Sequence, residues 1–226
     1  MEQVAQLREQ FPAWRRSSDE ELVNAITHGL GFVLAAAGSL VVMSGVLATG
    51  NAALIIGCSA YVMSLIAVYA MSTLSHCPTS FRAKLIFRQL DQAFIYLLIV
   101  GTYTPFSLAF LQAWYWHALL AAMWLIAGIG FVAKVFFAHK VHSVPVSSYL
   151  ALGWMPIVAL PALWHYAPPG VFESILAGGV CFMIGTVFLA RDDRVRHFHA
   201  VWHVCVISGS AFHFLAILHY VVQAGA

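Results

Sequence analysis

Residues 22–81 read LVNAITHGLGFVLAAAGSLVVMSGVLATGNAALIIGCSAYVMSLIAVYAMSTLSHCPTSF, a run of 60 without one Asp, Glu, Lys or Arg. A bilayer core takes about 20 apolar residues per helix. The run is therefore long enough for two crossings, and Gly50-Asn51 near its middle marks the turn between them. Working outward, residues 92–133 form a second uncharged stretch of 42, again two crossings. Their turn is predicted near Gln112–Trp116, where Trp114, Tyr115 and Trp116 suit a membrane interface. Residues 141–172 supply a fifth span, ended by Ala167-Pro168-Pro169-Gly170. A sixth is expected from about Val171 to Ala190 and a seventh from about Phe198 to Val222.

The fold class predicted is an all-α integral membrane protein, a bundle of seven transmembrane helices. Composition agrees: 62% of the 226 residues are hydrophobic and 9% are charged, against roughly 25% charged in soluble domains. A soluble bundle of this size must meet water and has no place for so much apolar side chain. No cleavable signal peptide is expected, because residues 1–20 are polar and lack an apolar core segment. The four cysteines (Cys58, Cys77, Cys181, Cys205) show no paired spacing and read as free thiols.

Charge placement predicts orientation. With seven spans and the amino terminus inside, the inner segments hold Arg8, Arg15 and Arg16; Arg82, Lys84 and Arg88; Lys134 and Lys140; and Arg191, Arg194 and Arg196. Those are all 11 basic residues. The positive-inside rule asks only for an excess. The amino terminus is therefore expected in the cytoplasm, the carboxyl terminus outside, and the protein in the cell (inner) membrane as a multi-pass chain. Residues 1–20 are expected to form a cytoplasmic tail, either amphipathic on the membrane surface through Phe11, Trp14 and its arginines or disordered. Residues 21–226 form one seven-helix domain. Nothing points to nucleic acid. Membrane lipids are the expected partners, with self-association left open.

Ionisable groups inside spans are costly and are functional candidates by default. The chain has 11 histidines. Ser72 and His76 lie at i, i+4 on one face where span two returns to the inner side. Asp91 opens span three on that side. His199 and His203, also i, i+4, open span seven there. Five polar groups thus converge in depth. Three neutral imidazoles with one open position are a zinc arrangement, and the metal would activate water near neutral pH. A nearby carboxylate could hold that water or orient a ligand histidine. The competing reading is a set of helix-end histidines bonded to headgroups or carbonyls.

Glu21, Asn24 and His28 share a face at the entry of span one, where they could support the site or simply cap a helix. His213 lies roughly 15 Å deeper than His203, too far for the same ion; it either lines a cavity or, the favoured reading, hydrogen-bonds a neighbouring helix. Gly178, Gly179 and Gly185 are expected to allow close helix packing.

Several segments resemble one family. They are Glu21-x-x-Asn24-x-x-Thr27-His28-x-x-Gly31, Ser72-Thr73-Leu74-x-His76, the block from Asp91 through Gly101-Thr102-Tyr103-Thr104-Pro105-Phe106, His199-Ala200-x-Trp202-His203, and Gly209-Ser210-x-x-His213. In order and along nearly the whole chain, they are similar to the haemolysin III family, the bacterial branch of the progestin and adipoQ receptor (PAQR) superfamily. The resemblance implies a seven-helix bundle with its amino terminus inside and a zinc ion held by His76, His199 and His203. It also implies that Asp91 holds the water at the metal and that Ser72 is the serine of the S-x3-H pattern. Members of the superfamily are linked to lipid amide hydrolysis, and bacterial ones to membrane lipid homeostasis. Two departures, Ser75 before His76 and Gln92 after Asp91, leave the implied ligands in place and alter their surroundings.

Three functions follow as expectations. One is a zinc-dependent hydrolase of a lipid amide or ester, with Asp91 and Ser72 as its catalytic residues. Another is a non-catalytic sensor or regulator of membrane state with structural zinc. The last is a haemolysin-like pore, against which no polar stripe repeats through a whole span.

Overall fold

The computed structural model describes residues 16–77, 80–137 and 146–225, with Phe81 described by its backbone alone. Most of the expected amino tail, together with His139, Lys140 and His142, lies outside the described residues.

The helices start where the sequence places caps. The first, α1 (Ser18–Ala48), opens with a capping box in which the Ser17 side chain accepts from the Glu20 N–H and the Glu20 carboxylate accepts from the Ser17 N–H. Gly50, at φ +65°, makes the predicted turn, and the Asn51 side chain caps α2 (Ala52–His76). Ser80 caps α3 (Phe81–Phe110). This helix therefore begins about ten residues before the uncharged stretch, and Arg82, Lys84, Arg88 and Asp91 are helical. The next is α4 (Trp114–Phe136), after a short turn at Leu111–Ala113.

The fifth span is not one regular helix. Val146–Trp154 (α5) passes through a 3-10 segment, Met155–Ala159, into α6 (Leu160–Tyr166). Pro156 and Pro161 open the second and third pieces, and proline cannot donate the backbone bond that a continuous α-helix needs. Gly170, at φ +95°, precedes α7 (Val171–Leu189), and the last span runs as α8 (Phe198–Ala216) into a π turn at Ile217–Val221.

Among the described residues, seven helical stretches are long and apolar enough to cross a membrane. Their outer surfaces are apolar: Leu40, Met63, Leu125 and Val33 are among many large side chains left exposed. Lipid, not water, suits such a surface. The chain is a multi-pass membrane protein.

Glycines set the register around the site. The buried residues of α1 (Asn24, His28, Gly31, Ala35, Ser39, Val42, Val46) repeat every three or four positions and form one inward stripe. A Cβ on Gly31 would come within 2.6 Å of the Tyr69 ring on α2 and 3.3 Å of Ile207 on α8. Gly38 likewise faces Phe214, and Gly45 faces Val222. Matching numbers rise together on α1 and α8, so these two helices run parallel, as the first and last of seven spans must.

Candidate metal centre

His76 is the last residue of α2, and His199 and His203 occupy the first two turns of α8. The fold brings them together: one potential ligand atom from each lies within 4.8 Å of the others. Ring centroids are 5.2 Å apart for His76–His199 and His76–His203, and 4.5 Å for His199–His203. His203 is 1% exposed and His76 is 7% exposed.

Each imidazole is held at Nδ1 by an oxygen from another part of the chain. His76 Nδ1 lies 2.6 Å from Glu21 Oε2 on α1. His199 Nδ1 lies 2.6 Å from Asp192 Oδ2 in the loop before α8. His203 Nδ1 lies 3.1 Å from Thr27 Oγ1 on α1. Carboxylates accept only, so Nδ1 donates to Glu21 and to Asp192. The Thr27 hydroxyl spends its own proton on backbone carbonyls of its helix, Val23 O at 3.0 Å and Asn24 O at 2.9 Å. It is therefore an acceptor for His203 as well. With Nδ1 protonated, the lone pair of each ring sits on Nε2. On His76 this Nε2 is buried and has no hydrogen-bond partner among the described residues. Three imidazoles close enough to share one ion, each tied to oxygen at Nδ1, match the ordinary environment of metal-ligating histidines.

The oxygen partners are themselves anchored. Glu21 Oε1 receives Lys84 Nζ from α3 at 2.5 Å. Asp192 pairs with Arg16, whose side chain is buried. Burial pushes the Asp192 carboxyl above its ordinary range, while the positive charges of Arg16 and Arg88 pull the other way. The His197 backbone, at φ 64°, donates to Glu20 Oε1 at 3.2 Å and fixes the entry to α8. Four separate elements thus converge on the three histidines.

Ser72 is buried one turn before His76. Its side chain is a hydrogen-bonding neighbour of Asp91, which also feels the charge of Arg88. Asp91 lies well inside α3, not at its start. Glu21 turns out to hold a histidine as well as beginning a helix. The reading of the sequence did not single out Asp192, Arg16 or Lys84. The one available signal was a carboxylate seven residues before His199 in an arginine-rich loop. His213 bonds through Nε2 to Ile175 O on α7 at 3.2 Å, as expected of a structural histidine. Gly178 packs on that same ring and Gly185 on Trp202, whereas Gly179 meets nothing within 4 Å.

Fold and site together define a heptahelical membrane protein with a three-histidine centre competent to bind a metal. A family model described as "Haemolysin-III related" matches residues 16–214. The chain is 34% identical over 207 residues to "Hemolysin-3" of Bacillus cereus, covering 92% of this chain and 94% of that protein. It is 34% identical over 204 residues to "Hemolysin-3 homolog" of Bacillus subtilis (strain 168), covering 90% and 95%. A more distant relative, "Heptahelical transmembrane protein ADIPOR2" of Oryza sativa subsp. japonica, is 28% identical over 176 residues, covering 69% and 76%. The chain belongs to the haemolysin III family, within the PAQR superfamily.

Proposed function

We propose that His76, His199 and His203 hold a zinc ion and that the chain is a metal-dependent hydrolase of a membrane lipid, acting on an amide or ester at the cytoplasmic leaflet. The observation that carries this reading is the fixing of all three Nδ1 atoms by Glu21, Asp192 and Thr27. A histidine cluster that holds no metal has no need of three rings oriented in this way. Zinc on three neutral imidazoles supplies a Lewis acid with an open position.

The remaining roles fall to the chain's own groups. Asp91, beside Ser72 and Arg88, is the proton acceptor for the attacking water. Ser72 donates to Asp91 and fixes the direction of its free oxygen. Arg88 places a positive charge beside that carboxylate. The apolar exterior admits substrate from the bilayer.

The test is turnover of fluorescent lipid amides and esters by purified protein in nanodiscs, with metal content measured on the same samples. Activity lost in Asp91→Asn with zinc retained supports the hydrolase. One observation favours a second reading, a non-catalytic sensor with structural zinc. The centre ties α1, α2, α8 and the preceding loop together through Glu21, Asp192 and Arg16. In that case Asp91→Asn leaves function intact and loss of zinc alone abolishes it.

A further inference from the structure

We infer that the facing sides of α1, α2 and α8 hold a file of water that runs from the histidine centre toward the middle of the membrane and ends blind. Six residues carry the inference: Asn24, His28 and Ser39 on α1, Tyr61 and Tyr69 on α2, and Ser210 on α8. None is more than 7% exposed. In Asn24, Ser39 and Tyr61 a buried side-chain nitrogen or oxygen has no hydrogen-bond partner among the described residues, and the other three have at most one weak contact each, Tyr69 with Ser210 and His28 with the His203 backbone.

These groups are consecutive in space. The His28 ring stacks on His203 at 3.5 Å between centroids and meets Tyr69 edge-on at 5.2 Å. The Tyr69 and Ser210 hydroxyls are neighbours. Tyr61 follows Tyr69 two turns further along α2, and the two phenols lie close enough to interact. Antiparallel register puts Ser39 level with Tyr61, since Gly31 faces Tyr69 and Met43 faces Ser59. From Asn24 to Ser39 the column rises about 22 Å. Beyond it the same stripe of α1 is dry: Val42 and Val46, with Ile217 and Val221 on the last span, are all 0% exposed.

An unsatisfied buried polar group is costly, and several in one column would consume a large share of the small net stability of a fold. Buried water resolves this, because each molecule bonds several such groups at once. The six lining residues include no Asp, Glu, Lys or Arg and each offers a polar group, so the column suits water better than an ion or an acyl chain. The column explains why inspection of single spans finds no polar stripe: its groups are shared among three helices and stop short of the far end.

Radiolytic hydroxyl-radical labelling tests this on the intact wild-type protein in nanodiscs, since radicals generated from bound water mark the side chains beside it. Tyr61 and Tyr69 are expected to label an order of magnitude faster than Met123, which is also 0% exposed and sits in apolar core, despite the higher intrinsic reactivity of methionine. Exposed Tyr115 serves as the upper reference. Tyr61 and Tyr69 as silent as Met123 would overturn the proposal, whether the column is dry or filled by a lipid. The readout requires neither zinc nor turnover, so it stands or falls apart from the hydrolase reading.

Discussion

Glu21 Oε2 accepts from His76 Nδ1 at 2.6 Å across 55 residues of sequence, while its other oxygen takes Lys84. A helix-opening carboxylate has become the support of a candidate metal ligand. Glu21→Gln keeps the shape but weakens the acceptor and loses the Lys84 pair. Zinc affinity, measured by competition with a chromophoric chelator, should fall by about 10–100-fold. Asp192→Asn should do the same through His199. Unchanged affinity in both would mean that these carboxylates do not serve the metal.

Asp91 is predicted to act on the reaction and not on the metal. Asp91→Asn should retain zinc and the thermal midpoint of unfolding, yet lose about 10²–10⁴-fold in turnover of a lipid amide or ester. Ser72→Ala should lose less, because Asp91 keeps its charge. If Ser72→Ala and Asp91→Asn both leave turnover intact, the catalytic assignment fails.

Acid should release the metal. An imidazole binds metal only when neutral and has an ordinary pKa of about 6.5. Protonation competes with binding, so affinity is full above neutral pH and falls as acid protonates the ligands. Any stability that the metal contributes is lost over the same range. Thermal unfolding in detergent, with and without added zinc, should converge as pH drops. A zinc-dependent stabilisation that does not weaken at any acid pH at which the protein stays folded would contradict histidine ligation.

Adjacent glycines on α7 should behave oppositely. A Cβ on Gly178 would meet His213 Nε2 at 2.5 Å, and one on Gly179 meets nothing within 4 Å. Gly178→Ala should destabilise by about 1–3 kcal/mol through overpacking. Gly179→Ala should be neutral or stabilising by up to about 1 kcal/mol. Equal effects on the thermal midpoint would refute the packing described for α7 and α8.

Spans were legible because charge is so sparse. The gap from 22 to 81 and the clustering of basic residues between uncharged stretches define crossings by solvation alone. The beginning of α3 was not legible by the same rule: Ser80 caps a helix that continues past the uncharged stretch, so counting charge-free residues starts it too late. The pair His199 and His203 was readable from i, i+4 spacing, and His76 from its place at the same depth. That α1 supplies Glu21 and Thr27 to this cluster depends on Gly31, Gly38 and Gly45 drawing α1 against its neighbours. Asp192 belongs to a loop without periodicity, and its pairing with His199 and Arg16 is purely tertiary. No local pattern announces it.

Zinc content of protein purified without chelator, wild type beside His203→Ala, tests the central claim most directly. The account predicts about one zinc per wild-type chain and close to none in the variant. Wild-type protein that carries no zinc and takes up none when it is supplied, or a variant that retains it fully, would contradict the account.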